Sequence, residues 1–274
     1  MRETTRMLKE KIGFIGAGSM GSTLIRSVLE KGLVSSKNLW VCDKIPEKLS
    51  SFSERGVNTS VKIKPMIKGV DIIFIAVKPQ DISEVLENLK NKIRSSQLIV
   101  SIVAGITTSY IRQKLSLEIP VVRVMPNSPA LIGEGISAIS PSGGTNEENV
   151  RTVKEILGAA GEIIEVPEEL QDAVTGLSGS GPAYIYTLLE GLVEGGIKVG
   201  LSKEVASRLA IQTTLGAAKM AKESGIPLDE LRRAVVSPGG TTSEGLRVLE
   251  KGGFKSCLAQ AVIRGTERAR ELRK

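Results

Sequence analysis

The chain contains no histidine, and its 274 residues include only two cysteines and 3% aromatic residues. The absence of histidine excludes serine–histidine and cysteine–histidine nucleophilic sites, together with histidine-ligated zinc. Cys42 and Cys257 lie in different settings and show no metal-ligand or redox spacing, so no metal site is predicted and a reducing cytoplasm fits. So few aromatic residues argue against a platform on which nucleic-acid bases stack.

The chain also lacks a long apolar run, since none approaches the length needed to cross a bilayer. Residues 1–10 are polar and lack the apolar core of a signal peptide. We therefore expect a cytoplasmic protein that does not bind a membrane, with residues 1–10 as a frayed extension before the first strand.

The formal net charge of +7 raises the question of nucleic-acid binding. However, the basic residues are interspersed with acidic ones, and the basic stretch Arg264–Lys274 is interrupted by Glu267 and Glu271, as on a solvated helix face. A basic balance also suits anionic small molecules, such as a phosphorylated cofactor or a carboxylate substrate. We predict a small-molecule substrate and no nucleic acid.

The most informative stretch is a short apolar run, Lys11–Ile15, followed by a glycine-rich turn and a segment with apolar residues at helical spacing. In a strand–turn–helix unit, such a GxGxxG turn lets the backbone approach the pyrophosphate of a dinucleotide at a helix N-terminus. The alternative is a glycine turn that binds no ligand. The predicted cofactor-binding residues of the turn are Gly16, Ala17, Gly18, Ser19, Met20 and Gly21.

Asp43 follows the next apolar run, Leu39–Cys42, at the spacing expected for a contact to a ribose 2′-hydroxyl. Its carboxylate would repel a 2′-phosphate and favour NADH, whereas Lys44 next to it could offset this repulsion. The predicted cofactor is therefore NADPH or NADH, and we expect NADH to work at least comparably.

Up to Pro167 the chain alternates apolar runs with amphipathic segments, which predicts a parallel sheet flanked by helices. Further strands are predicted at 70–77, 98–103, 121–125 and 163–166, and Asp81 is predicted to cap the helix that follows it. This pattern is typical of an α/β Rossmann-like domain, which we place at residues 1–167.

From residue 168 onward no strand pattern is present, and helices are predicted at 180–199, 202–223, 227–236 and 241–272. We place an all-α domain at residues 168–274. So many apolar helical residues are hard to bury within one small domain, which predicts packing against a second subunit. A homodimer through this domain, or a higher oligomer of dimers, is the expected assembly.

Two glycine-marked turns interrupt the helical half, Leu177–Tyr184 and Ser237–Glu244. Each opens a helix, so each can present free backbone N–H groups and hydroxyls to a carboxylate. The alternatives are structural: a capped inter-domain turn for the first, and a Thr or Ser cap with Glu244 in the first helical turn for the second.

The sequence resembles the pyrroline-5-carboxylate reductase family over essentially everything after residue 10. The resemblance rests on the Phe14–Gly21 turn, Ala76–Pro79, Arg123–Asn127, Leu177–Tyr184 and, most diagnostically, Val236–Thr242 followed by Leu249 and Glu250. It implies reduction of 1-pyrroline-5-carboxylate to L-proline by hydride transfer from NAD(P)H, the last step of proline biosynthesis. It also implies a nucleotide-binding first domain and a helical second domain that interlocks with a partner subunit.

The resemblance further implies which residues bind each ligand. Ala76, Val77, Lys78, Pro79 and Asn58 would border the cofactor. The substrate carboxylate or ring nitrogen would be held by Ser180, Gly240, Thr241 and Thr242, with Glu223 lining the same pocket although the loop after it differs in length.

The chemistry of the residues agrees with this implication. A protonated cyclic imine carries its own proton, so a strong general acid is unnecessary and a hydroxyl such as Thr242 can orient the ring nitrogen. Two alternatives remain: a β-hydroxyacid dehydrogenase, for which the nearest lysine, Lys198, lies too far along the helix, and a non-catalytic dinucleotide sensor.

Overall fold

The structure is a computed structural model and describes residues 7–274. Eight strands form one sheet in the order β3-β2-β1-β4-β5-β6-β7-β8, and all neighbours are parallel except β6 and β7. The strands are β1 (Ile12–Ile15), β2 (Leu39–Cys42), β3 (Asn58–Ser60), β4 (Ile72–Ile75), β5 (Leu98–Ser101), β6 (Val121–Met125), β7 (Gly135–Pro141) and β8 (Gly161–Glu165).

Twelve α-helices are formed by the described residues. Those that flank or follow the sheet are α1 (Ser19–Glu30), α2 (Ser50–Ser53), α3 (Lys64–Ile67), α4 (Ile82–Leu89), α5 (Thr108–Leu115), α6 (Glu147–Leu157) and α7 (Gln171–Val174). The later ones are α8 (Gly181–Lys198), α9 (Lys203–Ser224), α10 (Leu228–Ala234), α11 (Thr241–Lys251) and α12 (Phe254–Glu271). None of the described helices is long and apolar enough to cross a membrane.

The sheet is central because its middle strands are apolar on both faces. All residues of β1, β4 and β5 are buried, as expected for parallel strands covered by helices on each side. Phe14 and Phe74 stack across β1 and β4 with ring centroids 4.6 Å apart. The predicted Rossmann-like α/β domain, followed by a helical domain, is confirmed.

Two strands of the sheet are not predicted from the sequence. β3 is a three-residue polar strand, Asn58–Ser60, and β7 alternates small and apolar residues and runs antiparallel to β6. Neither has the apolar run by which buried strands were recognised, because one lies at the sheet edge and the other is built partly from glycine, serine and alanine. The sheet is therefore mixed rather than wholly parallel.

The described chain divides into two compact units, which we call the sheet unit (residues up to Gly179 together with Arg264–Lys274) and the helical unit (Ser180–Ile263). The division differs from the predicted boundary at residue 167, because the segment Glu168–Gly179 and the end of α12 cluster with the sheet.

The predicted helix 241–272 is two helices. α11 ends at Lys251 with Gly252 as its C-cap, and Gly253 adopts a left-handed φ of 65°, which a continuous helix does not accommodate. α12 then begins at Phe254. Gly252 and Gly253 mark this break in the sequence, but helical spacing of apolar residues alone does not predict it.

Part of the predicted N-terminal extension is anchored. Residues 1–6 lie outside the described residues, but Leu8 is 4% exposed and its N–H donates to the carbonyl oxygen of Leu33 at 2.8 Å. The frayed description is therefore wrong for residue 8, because its side chain joins the apolar cluster of the sheet unit.

Almost no residue of the helical unit is buried. Among its residues, all of which the structure describes, only Ala206 and Ala210 are buried. α8 and α9 pack on each other extensively, and between them lies a groove of about 460 Å³ whose lining includes Tyr186, Val193 and Ile211. Unpaired helices with this much apolar surface indicate a protein interface.

Candidate active site

The glycine turn between β1 and α1 packs closely against backbone atoms around it. Gly16 has a φ of 104°, and a Cβ added there would lie 2.4 Å from the carbonyl oxygen of Ala76. A Cβ added at Gly21 would lie 2.3 Å from the carbonyl oxygen of Gly16. These two positions exclude side chains because the turn, α1 and the segment after β4 approach one another closely.

Gly18 differs, because a Cβ added there would meet open space. Gly18 is also the N-cap of α1, where no side chain caps the helix and no acidic residue lies in the first turn. The N–H groups at this helix start are therefore available, and the helix dipole favours an anion there. An open approach to an uncapped helix N-terminus fits the pyrophosphate of a dinucleotide.

Asp43 lies against the glycine turn and is hydrogen bonded to it. Its side chain is 8% exposed, and its two oxygens accept hydrogen bonds from the N–H of Ala17 at 2.7 Å and from the N–H of Ile45 at 3.0 Å. The ammonium of Lys48 lies 3.7 Å away. The carboxylate thus fixes the glycine turn to the end of β2, and its predicted contact to a ribose stays a prediction.

Lys44 pairs with Asp81, with 3.0 Å between the lysine Nζ and the carboxylate Oδ1. Hydrogen bonding to Asp81 and its negative charge raise the pKa of Lys44 above its ordinary value, with smaller contributions from Glu84 and Asp43. The predicted cap of α4 by Asp81 is wrong, since no side chain caps that helix and the carboxylate turns to Lys44 instead. The sequence does not predict this ion pair, because Lys44 and Asp81 belong to different loops.

The residues predicted to border the cofactor divide into two groups. Ala76 and Val77 lie directly after β4 and contact the glycine turn, and Lys78 and Pro79 follow them on the exposed surface. Asn58 is level with Trp40 in the sheet, and its side-chain amide donates to the carbonyl oxygens of Lys37 and Leu39. The predicted contact of Asn58 to the cofactor stays a prediction.

Cys42, at the end of β2, is not a nucleophile. Burial, together with the negative charge of Asp43, raises the pKa of its thiol to about 11. Because the thiolate is the reactive form, the protonated side chain acts as a small apolar group at neutral pH.

A buried charge network was not foreseen from the sequence. Arg123 on β6 is 3% exposed, and its guanidinium donates to Asp172 at 3.1 Å and lies 3.7 Å from Glu168. Arg273 donates to the other oxygen of Asp172 at 3.2 Å, and Glu168 accepts from the N–H and hydroxyl of Thr108. The network joins four segments of the sheet unit.

In the helical unit, the turn before α11 leaves a helix start without a side-chain cap. Gly239 has a left-handed φ of 68°, and Gly240 is the N-cap of α11. Glu244 pairs with Arg247 instead of closing a capping box. The N–H groups of the first turn, at Thr241 and Thr242, are thus available to an anion, and the purely structural capping interpretation is wrong.

Ser180 and Glu223 lie on other helices of this unit. Ser180 precedes α8 and does not cap it, which again leaves the helix start without a side-chain acceptor. Glu223 lies in the last turn of α9, 65% exposed and 3.8 Å from Lys219. Among the described residues, neither α8 nor α9 packs extensively on α11, so one copy of the helical unit does not gather these residues in one place.

Comparison with known proteins identifies the chain. Residues 168–272 match the model "Pyrroline-5-carboxylate reductase dimerisation", and residues 11–105 match "NADP oxidoreductase coenzyme F420-dependent". A pyrroline-5-carboxylate reductase of Methanosarcina acetivorans is 43% identical over 269 residues, covering 98% of this chain and 100% of the relative.

This chain belongs to the pyrroline-5-carboxylate reductase family.

Two solved structures support the assignment along the whole length. A pyrroline-5-carboxylate reductase from Coxiella burnetii superposes with a TM-score of 0.91 at 33% identity, covering 97% of this chain and 100% of the other. A Plasmodium falciparum pyrroline carboxylate reductase with NADP bound gives a TM-score of 0.89 at 34% identity, covering 98% and 100%. Membership in the pyrroline-5-carboxylate reductase family decides against the β-hydroxyacid dehydrogenase alternative.

Proposed function

We propose that this chain reduces 1-pyrroline-5-carboxylate to L-proline, the last step of proline biosynthesis, with NADPH or NADH as the cofactor. The observation that carries the proposal is the continuous similarity to pyrroline-5-carboxylate reductases across both units. The uncapped helix starts at Gly18 and Gly240 are consistent with it, since the reaction brings together two anionic molecules.

The cofactor site is the carboxyl edge of the sheet around β1. Gly16 and Gly21 close the turn, Gly18 leaves the approach open, and the N–H groups of Ser19 and Met20 at the start of α1 face the phosphates. The backbone of Ala76–Pro79 borders the same edge, while Asp43 holds the turn in shape. When bound, the reduced nicotinamide supplies the hydride.

The substrate site is assigned to the start of α11. The N–H groups at Thr241 and Thr242, after the Gly239–Gly240 turn, bind the substrate carboxylate or orient the ring. The hydroxyl of Thr242 hydrogen bonds to the ring nitrogen, whose own proton makes a strong general acid unnecessary. Ser180 and Glu223 contribute from α8 and α9, and because α11 has no extensive contact with either helix, a second copy completes the set.

The assembly is a homodimer formed by the helical unit, in agreement with the dimerisation model that matches residues 168–272. A higher oligomer of dimers, a cytoplasmic location, and the absence of nucleic-acid and membrane partners stay predictions from the sequence. The exposed apolar side chains of α8 and α9 support the dimer, because the residues that the structure describes leave them uncovered.

The experiment follows the fluorescence of NADPH or NADH after addition of 1-pyrroline-5-carboxylate. Oxidation that depends on the imine, with proline as the product, supports the proposal. No oxidation with the imine, together with reduction of NADP⁺ or NAD⁺ by a 3-hydroxyacid, would contradict it, and cofactor binding without turnover would identify a sensor. All three outcomes are measured on the full chain by cofactor fluorescence.

Thr242→Val tests the assigned hydroxyl. It should lower kcat/KM for the imine by about tenfold or more, because a hydrogen bond to the reacting ring is lost. The dissociation constant for the cofactor, measured by fluorescence titration, should stay unchanged. An unaffected kcat/KM would remove Thr242 from the mechanism.

A further inference from the structure

Lys44 and Asp81 form an ion pair above the carboxyl end of β1. Lys44 follows β2 and Asp81 follows β4, and these two strands lie on opposite sides of β1 in the sheet. Strands two places apart are about 10 Å from each other, a distance that a lysine and an aspartate side chain together can span. The pair therefore joins the two loops that flank the glycine turn, where the proposed cofactor site lies.

The neighbouring charged groups are already engaged. Both oxygens of Asp43 accept backbone N–H groups, and Lys48 lies against Asp43. Lys44, by contrast, is 71% exposed, and among the described residues its ion-pair partner is Asp81, a carboxylate on a separate loop, with Glu84 and Asp43 contributing weaker charge interactions. Among the described residues at the end of β2, Lys44 is thus the cation that can change partners without disturbing the turn.

We propose that Asp81 is a specificity-determining residue: it competes with the 2′-phosphate of NADPH for Lys44 and so sets the preference between NADPH and NADH. This inference rests on the proposed function, since it requires the dinucleotide at the glycine turn. A 2′-phosphate carries a charge of about −1.5 to −2, so it is a stronger partner for an ammonium than one carboxylate. NADH has no such group and leaves the pair intact.

Two features of the structure support the exchange. The carboxylate of Asp81 makes no cap to α4, so releasing Lys44 disrupts no helix terminus. Lys44 is 71% exposed and Asp81 30%, so the pair is in contact with solvent, where an ion pair contributes little to the stability of the fold and can be replaced at small cost.

The test measures binding of NADP⁺ and NAD⁺ to the full chain by isothermal titration calorimetry, without turnover. Asp81→Asn should lower the dissociation constant for NADP⁺ about threefold or more and change that for NAD⁺ less than twofold, because only the 2′-phosphate gains a released lysine. Lys44→Gln should raise the dissociation constant for NADP⁺ about tenfold, with NAD⁺ again little changed.

A double variant and a distant pair serve as controls. In Lys44→Gln, adding Asp81→Asn should have no further effect on the NADP⁺ to NAD⁺ ratio. Lys154 and Glu165 form an exposed pair at 2.8 Å between α6 and β8, and Lys154→Gln removes one lysine charge there without changing the ratio. Thermal unfolding of each variant shows that the fold is retained.

The outcomes separate this inference from the proposed function. If wild-type protein binds both dinucleotides but Asp81→Asn leaves their ratio unchanged, or shifts it equally without Lys44, the inference is overturned and the proposed function stands. If wild-type protein binds neither dinucleotide, the proposed function fails and the inference with it.

Discussion

At the scale of single residues, the glycine turn shows that one motif contains positions of different kinds. Gly16 needs its φ of 104° and has no room for a side chain, whereas Gly18 has an ordinary φ of −70° and open space around it. The first glycine is required by the fold, and the second by the ligand that the fold is proposed to bind.

Gly16→Ala and Gly18→Ala should therefore fail in different ways. Gly16→Ala should lower the free energy of unfolding by about 2 to 3 kcal/mol, because the backbone conformation is strained for alanine and its Cβ meets Ala76. Gly18→Ala should leave the unfolding midpoint in urea unchanged but weaken binding of both dinucleotides about tenfold, because the methyl group enters the pyrophosphate approach.

Gly143→Ala is the matched control, since a Cβ there meets open space in a loop away from the site. It should change neither the unfolding midpoint nor dinucleotide binding. Normal affinity in Gly18→Ala would mean that the phosphates do not lie at this turn.

At the scale of elements, the sequence predicted those whose signal is local. Apolar runs located β1, β2, β4, β5, β6 and β8, and the helical periods located α8 and α9 within a few residues. β3 and β7 were missed because their pairing with neighbours, and not an apolar run, makes them strands.

Residues of the candidate site were likewise predictable from the sequence only where their signal is local. The glycine turn could be read directly, because its spacing has a physical cause in one short stretch. The hydrogen-bond partners of Asp43 and Asp81 could not, since each comes from another segment: the N–H of Ala17 for the first and Lys44 for the second. Side-chain pairing across loops leaves no period in a sequence.

The network of Arg123 joins β6 to the segment that leads into the helical half. Asp172 is 1% exposed and accepts from both Arg123 and Arg273. Asp172→Asn should lower the free energy of unfolding by about 2 to 3 kcal/mol, because the buried guanidinium of Arg123 loses its hydrogen-bonded carboxylate and keeps only Glu168, at 3.7 Å, as a counter-charge.

Urea unfolding measures this loss, with Glu148→Gln as the control. Glu148 and Arg151 form an exposed pair at 3.8 Å, whose removal should cost less than about 1 kcal/mol. Equal losses in the two variants would show that the buried network does not hold these segments together.

At the scale of the whole molecule, the two units differ in what stabilises them. The sheet unit has two large buried apolar clusters, whereas the helical unit buries two alanines. A helical segment of this kind cannot be stable on its own, because its apolar surface stays in water. Its stability is therefore expected to come from a second copy.

Ile211→Glu should dissociate the dimer, because Ile211 is 55% exposed and lines the groove between α8 and α9. Sedimentation velocity should show a monomer that still binds dinucleotide through the sheet unit but does not reduce the imine. Ile164→Glu on β8, also an exposed isoleucine at 49%, should stay dimeric and active. A dimer in both variants would place the interface elsewhere.

The most direct measurement of the central claim is the transfer of label from cofactor to product. The full chain is incubated with 1-pyrroline-5-carboxylate and NADPH or NADH deuterated at C4 of the nicotinamide, and the product is analysed by mass spectrometry and NMR. Our account predicts L-proline with one deuterium at C5, formed by wild-type protein at a higher rate than by Thr242→Val. Absence of deuterated proline, while both dinucleotides still bind, would contradict it.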